Sequence, residues 1–351
     1  MVRGSWRTSL FKGTIWAGLL APNVVRKQAS EFEQFNDPKL FKTRRYFSLL
    51  EDIENNIWFG AINGLGFWDR KSEFKLVEPD INTDLRFVRG LFQDSRQTIW
   101  VGSENDILSF SKETGWRRIS ISNHDGEIGV RFVYEDQNGT IWFGSDSIGL
   151  LYYDENENAI KIFKGNSLLE DQSIRSMYQD EDSTYWVGLE GFGLVRMELY
   201  PNKEIETISY FNQANGLQGQ VIHSILEDDY GRIWMSSNSG IFWVSKEELN
   251  NYALGKIPQI HSTVYSKSDG LPGIEANGGV QSPGIKTLDG RFLFSMISGI
   301  AVIDPDKVNE SMTQVVSRID GLITSDSSYT STTNPLRLKK EERDIQFNYA
   351  G

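Results

Sequence analysis

Three arginines and one histidine recur at a fixed offset in this 351-residue chain. Arg89, Arg131, Arg175 and His223 each stand five residues ahead of an aspartate: Asp94, Asp136, Asp180 and Asp228. Phe47 holds the same offset to Asp52. A guanidinium group takes a planar anion through two parallel hydrogen bonds. Three of them gathered around one point would therefore receive a carboxylate, uronate or sulfate. The alternative is local: each Arg pairs with the Glu or Gln directly before its aspartate (Glu51, Gln93, Glu135, Gln179, Glu227) and orders only its own stretch of chain.

Amides, acids and aromatics sit in the short connections expected beside that column. These include Asp146-Ser-Ile148, Glu190-Gly-Phe192, Asn238-Ser-Gly240 and Pro272–Asn277. Such residues build sugar sites, and they equally build ordinary turns. The ligand-binding candidates are Arg89, Arg131, Arg175, His223, Phe192, Asn238, Glu275 and Asn277.

The inventory for catalysis is thin. His124, His223 and His261 are scattered, without an HExxH, a GxSxG or a metal-ligand spacing. Asp154–Asn158 begins like a calcium loop, but Ala159 stands where Gly is required and Gly165 where a bidentate Glu is needed. There is no Cys, which removes thiolate and disulfide chemistry. No catalytic residue, metal or cofactor is expected. Residue types alone leave room for a paired-acid glycosidase or a lyase, but the acids at fixed register have another role.

That role emerges from the elements that must carry the column. Trp16, Trp58, Trp100, Trp142, Trp186 and Trp234 recur at intervals of 42, 42, 42, 44 and 48 residues, and Leu293 takes the same place 59 residues on. Three residues before each anchor comes a turn residue: Gly13, Asn55, Gln97, Gly139, Ser183, Gly231 or Gly290. Six before it, in the middle copies, is the aspartate. The pattern reads as a hairpin whose acid bonds the turn backbone and whose second strand opens on a buried indole. Two places after the anchor stands a small residue, as at Gly144 or Ser236, leaving room for a neighbouring strand. A period of this length with strand-like content is the signature of propeller blades. Seven copies predict an all-β, seven-bladed β-propeller of four-stranded antiparallel blades over residues 1–312. Ser245–Asn250 is expected to be a short helical insertion in the sixth copy.

After Asp306 the period stops. Residues 313–351 carry three alternating apolar segments, too few to bury a core of their own, and read as a domain cut off partway. The formal charge of −12 disfavours nucleic acid or an anionic membrane surface as partner. No apolar run reaches the length of a membrane helix, and the N-terminal residues lack a signal-peptide core.

Segments such as Gly139-Thr-Ile-Trp-Phe-Gly144 and Gly231-Arg-Ile-Trp-Met-Ser-Ser-Asn-Ser-Gly-Ile241 resemble the regulator-propeller repeats of bacterial two-component sensors. The resemblance extends to Asn215-Gly-Leu217, to Asp269-Gly-Leu-Pro-Gly-Ile-Glu-Ala-Asn-Gly-Gly279 and to Gly299-Ile-Ala-Val-Ile-Asp-Pro305, and covers about Gly13 to Asp306. The segment from Asn334 to Gly351 resembles the first strands of the immunoglobulin-like (Y_Y_Y) domain that follows the propeller in those sensors. The resemblance implies a periplasmic, non-catalytic ligand-sensing module of a longer protein, whose missing parts would supply the membrane helix and a histidine kinase or diguanylate cyclase. It implies a small-molecule or oligosaccharide ligand and leaves room for a homodimer of the full-length sensor. The rival readings are a carbohydrate-active propeller enzyme and a protein-interaction scaffold.

Overall fold

The computed structural model describes residues 46–71, 75–279 and 281–308 in full and, in the flanking regions, the backbone of the strands within residues 6–36 and 318–350. The chain divides into two compact units, Met1–Pro305 and Asp306–Gly351. The first contains six four-stranded antiparallel sheets followed by one of three strands, numbered here in chain order. In the fourth, Val130–Glu135, Ile141–Ser145, Leu150–Asp154 and Ala159–Ile162 pair in that order, each with the next. The first strands of successive sheets lie against one another. The last of them, Gly284–Lys286, touches Trp6–Phe11, so the circle closes and these strands line its axis.

The turn between first and second strands forms as the sequence demands. Asn55, Gln97, Gly139, Ser183, Gly231 and Gly290 all adopt positive φ, between 66° and 82°; Gly13 lies outside the described residues. Second strands then open on the anchors. Trp58, Trp100, Trp142, Trp186, Trp234 and Leu293 are all buried, and the side chain of Trp16 lies outside the described residues. Trp142 shows how an anchor works, packing among Phe132, Leu150 and Phe163 of its own sheet and Tyr185 and Val187 of the next. Close approach depends on the small residue two places on. A Cβ at Gly144 would fall 2.0 Å from Phe132 Cε1 and 2.7 Å from the carbonyl oxygen of Ile174 in the fifth sheet.

The structure corrects the expected number of four-stranded blades to six. The copy anchored at Leu293 has only Gly284–Lys286, Phe292–Met296 and Gly299–Ile303. Among the described residues no fourth strand pairs with it; the chain runs on through Asp304-Pro305, where proline has no N–H to give a ladder, and the Pro305 carbonyl accepts a bond from Arg232 Nη2 at 2.8 Å. The sixth sheet carries a helix, Lys246–Ala253, which buries Leu249 beside Phe211 and Ile260.

The second unit has one antiparallel sheet, with Arg318–Ile323 between Ser328–Thr330 and Gln346–Ala350. A sandwich needs a second sheet packed on the first, and the described strands form one sheet. The segment 335–338 lies outside the described residues.

Candidate ligand-binding site

The repeat acid does more than form a turn. Asp136 Oδ1 accepts the backbone N–H groups of Asn138 and Thr140, both at 2.9 Å, while Oδ2 accepts the indole N–H of Trp142 at 2.8 Å. The same three bonds recur at Asp52, Asp94, Asp180 and Asp228, whose indole contacts are 2.9, 2.8, 3.0 and 2.6 Å. One carboxylate thus fixes both the hairpin and the anchor. The fixed-register acids are fully engaged in structure.

Three of the residues before these aspartates bond the turn of the preceding sheet. Gln93 accepts from Ile53 N at 2.7 Å, Glu135 from Ser95 N at 2.8 Å and Gln179 from Gln137 N at 2.8 Å. Glu227 accepts from Lys246 at 2.6 Å, and Glu51 pairs with Arg70. None of them pairs with the arginine column; the acids that do, Asp146 and Glu190, belong to the same sheets as Arg131 and Arg175.

The column itself stands at breaks in the ladder. Register shifts fall between Tyr46 and Ser48, Val130 and Phe132, and Ile174 and Ser176, which makes Phe47, Arg131 and Arg175 the odd residues out. A bulge of this kind turns a side chain away from the alternation of its strand. The partners come from the connections between second and third strands. Arg131 Nε and Arg175 Nη2 bond Asp146 and Glu190 respectively, Arg89 Nη1 lies 3.9 Å from Asp146, and His223 Nε2 is 2.7 Å from Asn238 Oδ1. Phe47 and Phe87 each present a ring face 5.0 Å from the Arg89 guanidinium.

These cations feel one another. Burial lowers the pKa of Arg89, with Arg131 adding to the effect. Burial and then Arg175 lower that of Arg131. His223, 5% exposed, is depressed to about 4, first by burial and further by Arg175 and Arg131, against the opposing bond from Asn238. Burial opposes ionisation of Glu190, but the bond from Arg175 outweighs it and its pKa is lowered. Three donor-capable atoms, Arg89 Nε, Arg175 Nε and His223 Nδ1, are buried without a hydrogen-bond partner.

Of the other candidates, Asn238 joins this group through His223. Asn277 sits next to Gly278, which packs on the His223 ring so closely that a Cβ there would fall 1.8 Å from Nδ1. Gly278 O lies 3.5 Å from Arg175 Nη1. Phe192 is 46% exposed at the tip of its loop. Glu275 is exposed, and its carbonyl accepts from Ile297 N at 3.1 Å. Among the described residues no hydrogen bond or ion pair joins Phe192 or Glu275 to the cluster. Sequence reasoning named the loops of Asp146 and Glu190 without assigning them to the arginines, and it missed Gln281. That side chain accepts from Leu91 N at 2.6 Å and donates to Val133 O at 3.2 Å. It lies off the repeat, so no periodic signal marks it.

A cavity of about 230 Å³ adjoins the cluster, lined by Phe132, Met177, Ile225 and Leu226 with Arg175 and His223. A larger depression of about 830 Å³ lies among the aspartate turns of the second to fourth sheets. It is lined in part by Trp116 and Tyr153, and charges there are already paired, Lys112 with Glu54 and Arg96 with Glu155. The smaller cavity is the better candidate because it alone meets unpartnered buried donors. No group of acids and histidines among the described residues is arranged to hold a metal ion.

Residues 216–239 match the two component regulator propeller family. A stretch of 97 residues is 30% identical to Histidine kinase P4 of Formosa agariphila; it takes up 28% of this chain and 6% of the kinase. The extracellular domain of a hybrid two component system from B. thetaiotaomicron superposes on 99% of the chain at 20% identity and a TM-score of 0.72, and the chain covers 44% of it. Virginiamycin B lyase from Staphylococcus aureus superposes on 85% at 15% identity and a TM-score of 0.63, with 94% of the lyase covered. The chain therefore resembles regulator propellers and spans less than half of the extracellular domain it superposes on. Likeness to solved structures at this identity defines the fold alone.

Proposed function

We propose that this chain is the signal-receiving propeller of an extracytoplasmic, two-component-type sensor, non-catalytic in itself, which binds a small anionic ligand where Arg89, Arg131, Arg175 and His223 converge. Asn238 and Asn277 border that point, with Phe192 and Glu275 on the loops of the same end. The observation that carries the reading is that Arg89 Nε and Arg175 Nε are buried without hydrogen-bond partners on cations that repel one another, beside a neutral His223 whose Nδ1 is likewise unpartnered. Such a group costs stability until an anion satisfies it. The regulator-propeller match supports the sensory role. Residues 313–351 fit the start of an immunoglobulin-like domain that would relay the signal, and no described helix is long and apolar enough to cross a membrane.

Thermal unfolding with glucuronate, galacturonate and inorganic sulfate tests the site. At least one should raise the melting temperature, and Arg131→Gln with Arg175→Gln should remove the shift while far-ultraviolet circular dichroism stays unchanged. Release of product from polysaccharide fragments would overturn the non-catalytic reading. A partner captured with no anion present, together with no shift from any anion, would favour a scaffold.

A further inference from the structure

The cavity beside the cluster is small and mostly apolar, and its charged end is specific. At about 230 Å³ it falls below the roughly 300–1,000 Å³ of typical ligand sites. It holds one compact molecule, not a chain of sugars. Phe132, Met177, Ile225 and Leu226 supply an apolar lining, and the polar end is made by Arg175 and His223. Of these two lining residues, the buried atoms without a hydrogen-bond partner are Arg175 Nε and His223 Nδ1. Both side chains adjoin Gly278, which approaches Arg175 through its carbonyl and His223 through its Cα.

One donor, Arg175 Nε, and one nitrogen that donates once protonated, His223 Nδ1, suit the two oxygens of a planar carboxylate. A tetrahedral sulfate would leave further oxygens facing apolar walls, at a desolvation cost. We infer that this cavity is a site for a single small organic carboxylate, held through its oxygens by Arg175 and His223 while its body fills the apolar space, with Gly278 shifting to admit it. This rests on the proposed sensory reading and narrows it from anions in general to one class.

Two consequences follow. Asn238 Oδ1 can only accept, so neutral His223 donates through Nε2 and leaves Nδ1 as a bare lone pair. A carboxylate can meet Nδ1 only with a proton between them, so binding takes one proton from solvent. The groups facing His223 are Arg175 and Glu190 of the fifth sheet, Arg131 of the fourth and Asn238 of its own, while Gly278 brings no charge. The second consequence concerns Gln281, which lines the cavity and ties Leu91 N and Val133 O. Occupancy should alter hydrogen exchange at the Leu91 amide.

The experiment uses the whole chain with benzoate, with benzyl alcohol as a body of similar size lacking the charge. Isothermal titration is run at pH 5.5 and 7.5, and amide exchange is followed at Leu91. Benzoate should bind, more tightly at pH 5.5, and change Leu91 exchange; benzyl alcohol should not bind. Arg175→Gln should weaken benzoate on the order of tenfold to a hundredfold. Met177→Phe, which fills the cavity, should abolish benzoate binding, and Arg86→Gln, on an exposed loop, should leave it intact. The inference fails if Met177→Phe folds and still binds benzoate. It also fails if sulfate or glucuronate binds through Arg131 and Arg175 while benzoate does not, an outcome that spares the broader reading. If no anion binds at all, both fall.

Discussion

At the scale of single residues, one carboxylate and one imidazole show how the same chemistry can stabilise or burden a fold. Each repeat aspartate satisfies two turn amides and an indole, so its charge is repaid by bonds. His223 is the opposite case: it is buried, has Arg175 and Arg131 for neighbours, and keeps its proton poorly, with a pKa near 4 against 6.5 in the unfolded chain. Between those values the unfolded state binds more protons, so stability rises with pH. The stabilisation present above pH 6.5 is lost as pH falls towards 4, by as much as about 3 kcal/mol. Urea unfolding at pH 7.5, 5.5 and 4.5 should show this loss in the wild type and a shallower one in His223→Gln, which cannot titrate. Equal slopes in the two proteins would mean that other groups carry the acid sensitivity.

At the scale of elements, the hairpin was legible because each of its parts has a local physical cause. Positive φ at Asn55 or Gly139, the acid three residues before it and the indole three residues after it are all within one turn of chain, and the sequence displays them together. The bulges were not legible. Arg131 and Arg175 leave the ladder through the pairing of two strands, which no single stretch encodes, so their true partners Asp146 and Glu190 lay hidden in loops already in view. The glycine after the anchor tests the element directly. At Gly144 an added methyl group would collide with Phe132 and with the backbone of the next sheet, and a backbone oxygen cannot swing aside as a side-chain tip can. Gly144→Ala should therefore destabilise by about 1–3 kcal/mol despite alanine's lower unfolded-state entropy. Gly115→Ala serves as comparison: with nothing within 4 Å, it pays only for its positive φ of 67°. A smaller loss at Gly144 than at Gly115 in denaturant unfolding would refute the packing account.

At the scale of the whole molecule, the circle is held by more than neighbour-to-neighbour contact. The repeat explains how each sheet meets the next, and it made the propeller readable. It says nothing of Gln281, which stands 190 residues from Leu91 and 148 from Val133 yet bonds the backbone of both, while its own N–H donates to Phe47 O at 3.3 Å. This single residue at the start of the last sheet thus ties the second, third and fourth sheets across the axis. Long-range links of this kind constrain elements that would otherwise open one at a time. Gln281→Met keeps the length and much of the volume but leaves the Leu91 N–H and the Val133 carbonyl without that partner. A loss of about 1–3 kcal/mol is expected from the unpaired donor, with faster amide exchange at Leu91. If the residue acts across the ring, exchange should quicken in the second to fourth sheets together and leave the sixth, around Trp234, unchanged. Acceleration confined to Leu91 would make Gln281 a local filler, and the axis would then owe its rigidity to the sheet contacts alone.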